Sequence, residues 1–221
     1  MGKRVTIRER MRECIEDGDR KSFLSKDLNY AKDAQETYKY IYPLRDKLYV
    51  DPDMYSPLLY KAWGELLLKK NIISSYKIVE KNYRYVIQAE YSFNEQSNPI
   101  ILGSDGVISV RKCGENNIEQ HKFIGGFVLW PSHKGGINFR KNRYKDDLFK
   151  TLKDVERFYE DSRNYKGVIP EADYGWFEYL NTKGGYIDIF FLSDYERYRE
   201  NIVDFEKKRT QEILSFMGDV K

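Results

Sequence analysis

Cysteine is scarce in this chain, with two residues, Cys14 and Cys113, among 221. They lack the Cys-x-x-Cys spacing and are too few for a disulfide framework, so both read as reduced thiols of a cytoplasmic protein. Histidine is equally scarce, at two residues, and with so few thiols this argues against a usual structural zinc site. Long apolar runs are missing: the longest span a few residues, as at Ile189-Phe190-Phe191-Leu192. No transmembrane helix and no membrane partner are therefore expected, and no apolar leader stands near the start. The sequence has no G-x-x-x-x-G-K-[ST] loop, G-x-G-x-x-G turn, H-E-x-x-H or G-x-S-x-G. That argues against P-loop ATPases, dinucleotide-dependent oxidoreductases, zinc peptidases and α/β-hydrolases. The expectation is no cofactor and no metal ligands.

A strong charge of one sign is missing too. Lys and Arg number 38 against 35 Asp and Glu, a net charge of +3, so any argument for an acidic partner must come from the distribution. What the chain has in abundance is aromatic surface: 15% of residues, with 19 Tyr and 12 Phe. Despite a mean hydropathy of −0.72, that is too rich for a disordered chain. A length of 221 residues suits a single domain over 1–221, able to bury roughly 70% of the surface of its unfolded chain.

Residues 5–16 carry Ile7, Met11, Cys14 and Ile15 at helical spacing, and 22–49 repeats a broken version with Pro43 as its stop. Asp51-Pro52-Asp53 is turn chemistry. Ser56-Pro57 predicts an N-cap followed by proline at the first helical position, and Leu58, Leu59, Ala62, Trp63, Leu66 and Leu67 then mark one helical face. From 72 to 131 the period changes to two. Tyr76 and Ile78, then Tyr83, Tyr85 and Ile87, then Tyr91 and Phe93 predict half-buried antiparallel strands. Ile100 to Leu102, Val107 to Val110 and Phe123 to Trp130 extend them, with Gly103, Asp105-Gly106 and Gly114 as turns. Past a loop at 132–146 comes a helix through Leu148, Leu152, Val155 and Tyr159, then another over Ala172 to Leu180, stopped by Gly184-Gly185. Residues 186–192 fit either a strand or a buried helix start, and Tyr195 to Met217 reads as helix. Helical 1–70, mainly strands 72–131 and mainly helical 146–217 make an α+β fold, a central antiparallel sheet with helices packed on it.

The least ordinary feature is an interval without acid. Between Glu119 and Asp146 stand Lys122, Lys134, Arg140, Lys141, Arg143 and Lys145, together with both histidines, His121 and His133. Phe139 and Tyr144 are interleaved, and Gly135-Gly136 lets the backbone approach a ligand closely. Lys134, Arg140, Lys141 and Arg143 suit phosphates, and Phe139 and Tyr144 suit stacked bases, as in proteins of single-stranded nucleic acid. The plainer alternative is a solvated basic loop paired with carboxylates elsewhere. His133 titrates near neutrality and could move protons in RNA cleavage, with Lys134 or Arg140 stabilising the charge that develops; a polar surface histidine is the alternative. Asp51 with Asp53, and Asp146 with Asp147, read as turn and helix-start residues. Asp188 lies inside an apolar run and must face water, a partner or a catalytic site.

Ordered landmarks run through the chain: Asp51-Pro52-Asp53, Tyr55-Ser56-Pro57 with Leu59, Ser104-Asp105 with Val107-Ile108, Ile124-Gly125-Gly126, Trp130-Pro131, Ile137-Asn138 with Arg140, Asp146 with Thr151-Leu152, Tyr159, and Gly185-Tyr186-Ile187-Asp188 with Phe190-Phe191-Leu192. In order and spacing, over about residues 50 to 195, the chain resembles a family of uncharacterised bacterial proteins, a domain of unknown function. The resemblance implies that Asn138, Arg140 and the helix start at Asp146 form one recurrent unit. The family has glycine where this chain has Lys141, and arginine where it has Asp147. Two expectations follow from different classes. One is a protein of single-stranded RNA or another anionic ligand, up to a metal-independent ribonuclease of the toxin or phage-defence kind. The other is a non-catalytic interaction or inhibitor protein that meets a protein partner through Tyr38, Tyr40, Tyr42 and Tyr49.

Overall fold

The first described helix stops where proline requires it. In the computed structural model, which describes residues 30–45, 50, 52–81, 84–106, 123–132, 171–195, 197–198 and 201–217, α1 (Tyr30–Ile41) ends two residues before Pro43, because the residue before proline is pushed out of helical backbone. Asp33 faces inward from α1 and accepts the Ser56 hydroxyl at 2.6 Å. Pro52 and Asp53 depart from the turn expected of them: Pro52–Tyr55 form a single helical turn, α2, and Asp51 lies outside the described residues. The fixed φ of proline suits a helix's first residue as well as a turn, and the helical choice buries Tyr55. Tyr38 packs edge-on against Tyr55 at 5.3 Å and at a tilt against Tyr42 at 5.0 Å. Tyr38 is therefore core and is not available to a protein partner, whereas Tyr40 and Tyr42 are half-buried. Helix α3 (Pro57–Lys69) begins as its sequence dictates, with Ser56 Oγ accepting the Leu59 N–H at 3.2 Å and Pro57 at the first position.

Strands β1 (Ser75–Lys81), β2 (Arg84–Phe93), β3 (Gln96–Gly106) and β4 (Phe127–Pro131) form one antiparallel sheet in chain order. Ile78 pairs with Ile87, and Ile87 with Leu102, so one row of apolar side chains crosses three strands. The β2–β3 turn is built on positive φ at Asn94 (52°) and Glu95 (66°), the geometry a two-residue hairpin needs. Gly103, Asp105 and Gly106 are not turn residues. They lie in β3 opposite Trp130, Val128 and Phe127 of β4. Gly103 serves close approach instead, since a Cβ there would come within 3.3 Å of the Ser132 side chain. Ile124–Gly126 form a 3-10 turn ahead of β4 rather than part of a strand. Val107 to Val110, both cysteines, the helix expected over 5–16 and the helix through Leu148 and Tyr159 lie outside the described residues.

Helix α4 (Glu171–Thr182) ends at Gly184 and Gly185, whose φ angles of 106° and 90° close it with a Gly185 N–H bond to the Leu180 carbonyl at 2.8 Å. The ambiguous run that follows is helical: Tyr186–Ile189 make one turn, α5. Helix α6 (Ile202–Met217) starts seven residues after Tyr195, where Asn201 Nδ2 donates to Asp204 Oδ2 at 2.6 Å. Residues 193–195 are turn instead of helix. Leu59, Trp63, Leu66 and Leu67 of α3 join Tyr85, Ile87, Ile100 and Leu102 of the sheet in the core. Trp176 and Tyr179 of α4 close over Tyr91, at 5.1 and 4.9 Å between rings. Among the described residues no helix is long and apolar enough to cross a membrane.

Candidate functional site

The basic segment of the sequence begins next to a fixed point of the sheet. β4 ends at Pro131, and Ser132 remains tied to the sheet through its N–H, which donates to the Ile101 carbonyl at 2.7 Å. Ser132 is buried, and the missing side chain at Gly103 leaves room for its hydroxymethyl group. Into the same space reaches Arg84, the half-buried first residue of β2, whose Nη2 donates to Ser132 Oγ at 3.1 Å. Among the described residues no carboxylate pairs with Arg84. Its positive charge acts on the Tyr60 phenol, which burial and Asp53 push far above the usual range while Arg84 pulls it back. Tyr60 OH in turn accepts the Ser104 N–H at 3.1 Å. His133, Lys134, Phe139, Arg140, Lys141, Arg143 and Tyr144 lie outside the described residues, one to twelve positions beyond Ser132.

Asp188 is described. It occupies the third position of α5 and is exposed, while Tyr186 and Ile189 on the same turn are buried. An acid inside an apolar run is thus explained by a helical turn that leaves it in water. The backbone carbonyls of Asp188 and Ile189 accept Lys70 Nζ at 3.4 and 2.6 Å. Burial pulls the Lys70 ammonium down to about 8, against the pull of Asp188 in the other direction. Lys70 also sits 3.8 Å from the centre of the Phe191 ring, and Phe191 holds a φ of 55°, uncommon for a bulky residue. Phe191, Phe216, Lys208 and Glu212 border an open groove of about 660 Å³. Among the described residues no group of three His, Cys, Asp or Glu side chains could hold a metal ion.

A second arginine was hidden in α6. Arg209 is 1% exposed. Its Nε donates to the Phe190 carbonyl at 2.8 Å, and its Nη1 to the carbonyls of Gly125 at 2.8 Å and Phe127 at 2.5 Å. Its guanidinium lies 5.4 Å from the Trp63 ring centre. One side chain thus joins α3, the end of α5, the 3-10 turn and β4. Desolvation lowers Arg209 to about 10, so it is charged at neutral pH, with Tyr186 and Glu206 favouring the charge. Glu206, one turn earlier, is also buried, and burial pushes its carboxyl up to about 8 although Arg209 opposes this. Neither Glu206 Oε1 nor Arg209 Nη2 has a hydrogen-bond partner among the described residues. Reading α6 as charged on its outer side misses both. The signal was present: Arg209 stands midway in the row Phe205, Arg209, Ile213, Met217, each four residues apart and each buried. For Arg84 no local signal exists, because Gly103 comes from another strand and Ser132 follows a third.

A four-stranded antiparallel sheet with helices before and after it defines an α+β protein. The chain belongs to a family of unknown function (DUF6994), whose model matches residues 28–215. That span contains every landmark from Asp51 to Leu192 and extends beyond them at both ends. No curated protein and no solved structure matches the chain.

Proposed function

We propose that this protein binds single-stranded nucleic acid, RNA foremost, through the basic segment that follows β4. One observation carries the reading: from Gln120 to Lys145 the chain has six Lys and Arg and no Asp or Glu. Lys134, Arg140, Lys141 and Arg143 neutralise phosphates, and Phe139 and Tyr144 stack on bases, a combination tolerant of sequence. His133 extends the reading to cleavage. A 2′-hydroxyl attacks the adjacent phosphorus as His133 takes its proton. The bond to the 5′-oxygen breaks, solvent protonates that oxygen, and a 2′,3′-cyclic phosphate remains. Lys134 or Arg140 lowers the energy of the extra negative charge on phosphorus.

The test is a titration of labelled single-stranded RNA, single-stranded DNA and duplex DNA at two salt concentrations, with and without EDTA. Single strands are expected to bind, and to weaken steeply with salt, because each phosphate contact releases counterions. Arg140→Ala is expected to reduce that binding with no loss of fold. Cleavage of RNA that survives EDTA and disappears in His133→Ala assigns the proton transfer. No binding at low salt and no cleavage overturns the reading.

A second reading rests on the turn after α1, where Leu44 is 98% exposed beside half-buried Tyr42, over whose ring Arg45 lies at 5.6 Å. Tyrosine and arginine are enriched at protein interfaces, and Tyr42 with Arg45 beside exposed Leu44 offers such a group to a partner. Leu44→Asp abolishing capture of a partner, with nucleic-acid binding unchanged, would favour it.

A further inference from the structure

Arg84 has the features of a ligand residue rather than of a structural one. A guanidinium has five N–H donors in a rigid fork, and among the described residues one bond is made, to the neutral hydroxyl of Ser132 at 3.1 Å. Half-buried arginines that serve the fold meet carboxylates or several carbonyls, as Arg209 does with Phe190, Gly125 and Phe127. Arg84 reaches Ser132 beside Gly103, where a Cβ would come within 3.3 Å of the serine side chain. The result is a donor set of two kinds in one place. The remaining guanidinium N–H groups are joined by the Ser132 hydroxyl, which accepts from Arg84 and can still donate its own proton. Ser132 is buried and its backbone is bonded to Ile101, so the pair is held in position before any ligand arrives. His133 and Lys134 follow directly in the chain.

We infer that Arg84 and Ser132 form a phosphate-binding pair at the root of the basic segment, fixing one phosphate of the strand that the segment holds. The inference rests on the nucleic-acid reading above and adds to it a position on the sheet. A tetrahedral phosphate takes two parallel N–H bonds from the fork and one from the hydroxyl. A rigid contact of this kind sets the register of a strand, while the lysines and arginines beyond it supply general attraction.

The experiment uses the full chain and its Arg84→Gln, Arg84→Lys, Ser132→Ala and Arg140→Ala variants with a labelled oligouridylate over a range of salt. Arg84→Gln is expected to weaken binding about tenfold, the usual scale of a hydrogen bond to a charged group. It should also lower the slope of log K against log salt by about 0.7, one phosphate contact on a single strand. Arg84→Lys keeps the charge and the slope but loses the fork, so its affinity falls less. Unchanged affinity and slope in Arg84→Gln, with Arg140→Ala weakened, overturns the pair and leaves the nucleic-acid reading standing. If the wild-type chain binds no strand, that reading falls, and thermal melts with inorganic pyrophosphate decide the pair. A stabilisation present in wild type and absent in Arg84→Gln supports it; no stabilisation in wild type overturns it.

Discussion

Arg209 gives N–H bonds to three backbone carbonyls and lies over the Trp63 ring, whereas Arg84 gives one bond among the described residues, to a hydroxyl. The two side chains are chemically identical, and the difference lies in what surrounds them. Taking a guanidinium out of water costs several kcal/mol unless its donors are met. At Arg209 the carbonyls of α5, the 3-10 turn and β4 accept from Nε and Nη1, so the charge becomes a fastening between elements that are distant in sequence. At Arg84 water still reaches the side chain, and among the described residues only the Ser132 hydroxyl takes one of its donors. A buried arginine bonded to three backbone carbonyls belongs to the fold; a half-buried one bonded, among the described residues, to one hydroxyl has capacity left for a ligand.

The largest effect that would break this comparison is at Arg209. Arg209→Met removes every one of those donors and leaves buried carbonyls and Glu206 without their cation. The expected loss is about 3–5 kcal/mol in urea unfolding, the range for breaking a buried charged network. A loss below about 1 kcal/mol would mean that the aromatic packing of Trp63, Tyr186 and Phe190 holds the junction unaided.

Next in size is Gly125, in the turn that Arg209 fastens. A Cβ there would lie 2.1 Å from the Glu206 carbonyl oxygen and 2.4 Å from Thr210 Oγ1. Backbone would have to move, so Gly125→Ala is expected to destabilise by about 1–3 kcal/mol. Gly64 is the control. Its Cβ would meet the Tyr76 ring at 2.3 Å, but that ring is a half-buried side chain able to swing aside, so Gly64→Ala should cost less. Equal losses would show that α6 can slide away from the turn.

How much of this could be read in the sequence divides along the same line. The start of α3 was legible, because Ser56, Pro57 and the apolar face that follows act within a few residues of one another. The strands were legible from alternation, and the stop of α4 from Gly184-Gly185. Gly103 and Gly106 were misread as turns because glycine that permits close approach and glycine that permits a turn are the same letter. Here Ser132, distant in sequence, decides. The junction under Arg209 was missed for a similar reason: a charged residue in a helix defaults to the solvent side unless its row is examined. Of the expected site residues, Asp188 is exposed on α5. The structural anchor of the basic segment, Ser132 with Arg84, depends on strand pairing that no local pattern records.

Glu206 sharpens the comparison through pH. Its folded carboxyl lies at about 8 against an ordinary 4.5, with burial the leading cause. A raised carboxyl binds its proton more tightly in the folded chain than in the unfolded one. Its contribution to stability is therefore greatest below about pH 4.5, falls as pH rises towards about 8, and is flat beyond. Glu206→Gln has no such proton to lose. Relative to wild type, the variant should gain stability as pH rises from about 4.5 towards about 8, by up to about 1.4 kcal/mol per pH unit, and the gap should close towards about pH 4.5. Parallel stability curves for the two proteins over that range would show that Glu206 is charged in the folded state and compensated by Arg209.

The smallest expected effect is the most informative about Arg84. Its only described bond goes to a neutral hydroxyl, and water already reaches the side chain, so Arg84→Gln removes about 1 kcal/mol of net stability at most. Glutamine can still donate to Ser132 Oγ, which reduces the loss further. Urea unfolding of Arg84→Gln beside Arg209→Met then places the two arginines on one scale. If Arg84→Gln unfolds nearly as easily as Arg209→Met, both arginines fasten the fold and the contrast between them is void. If it unfolds like wild type, the side chain is dispensable to the fold, and a weaker hold on the oligouridylate in the same variant can then be assigned to the lost contact itself.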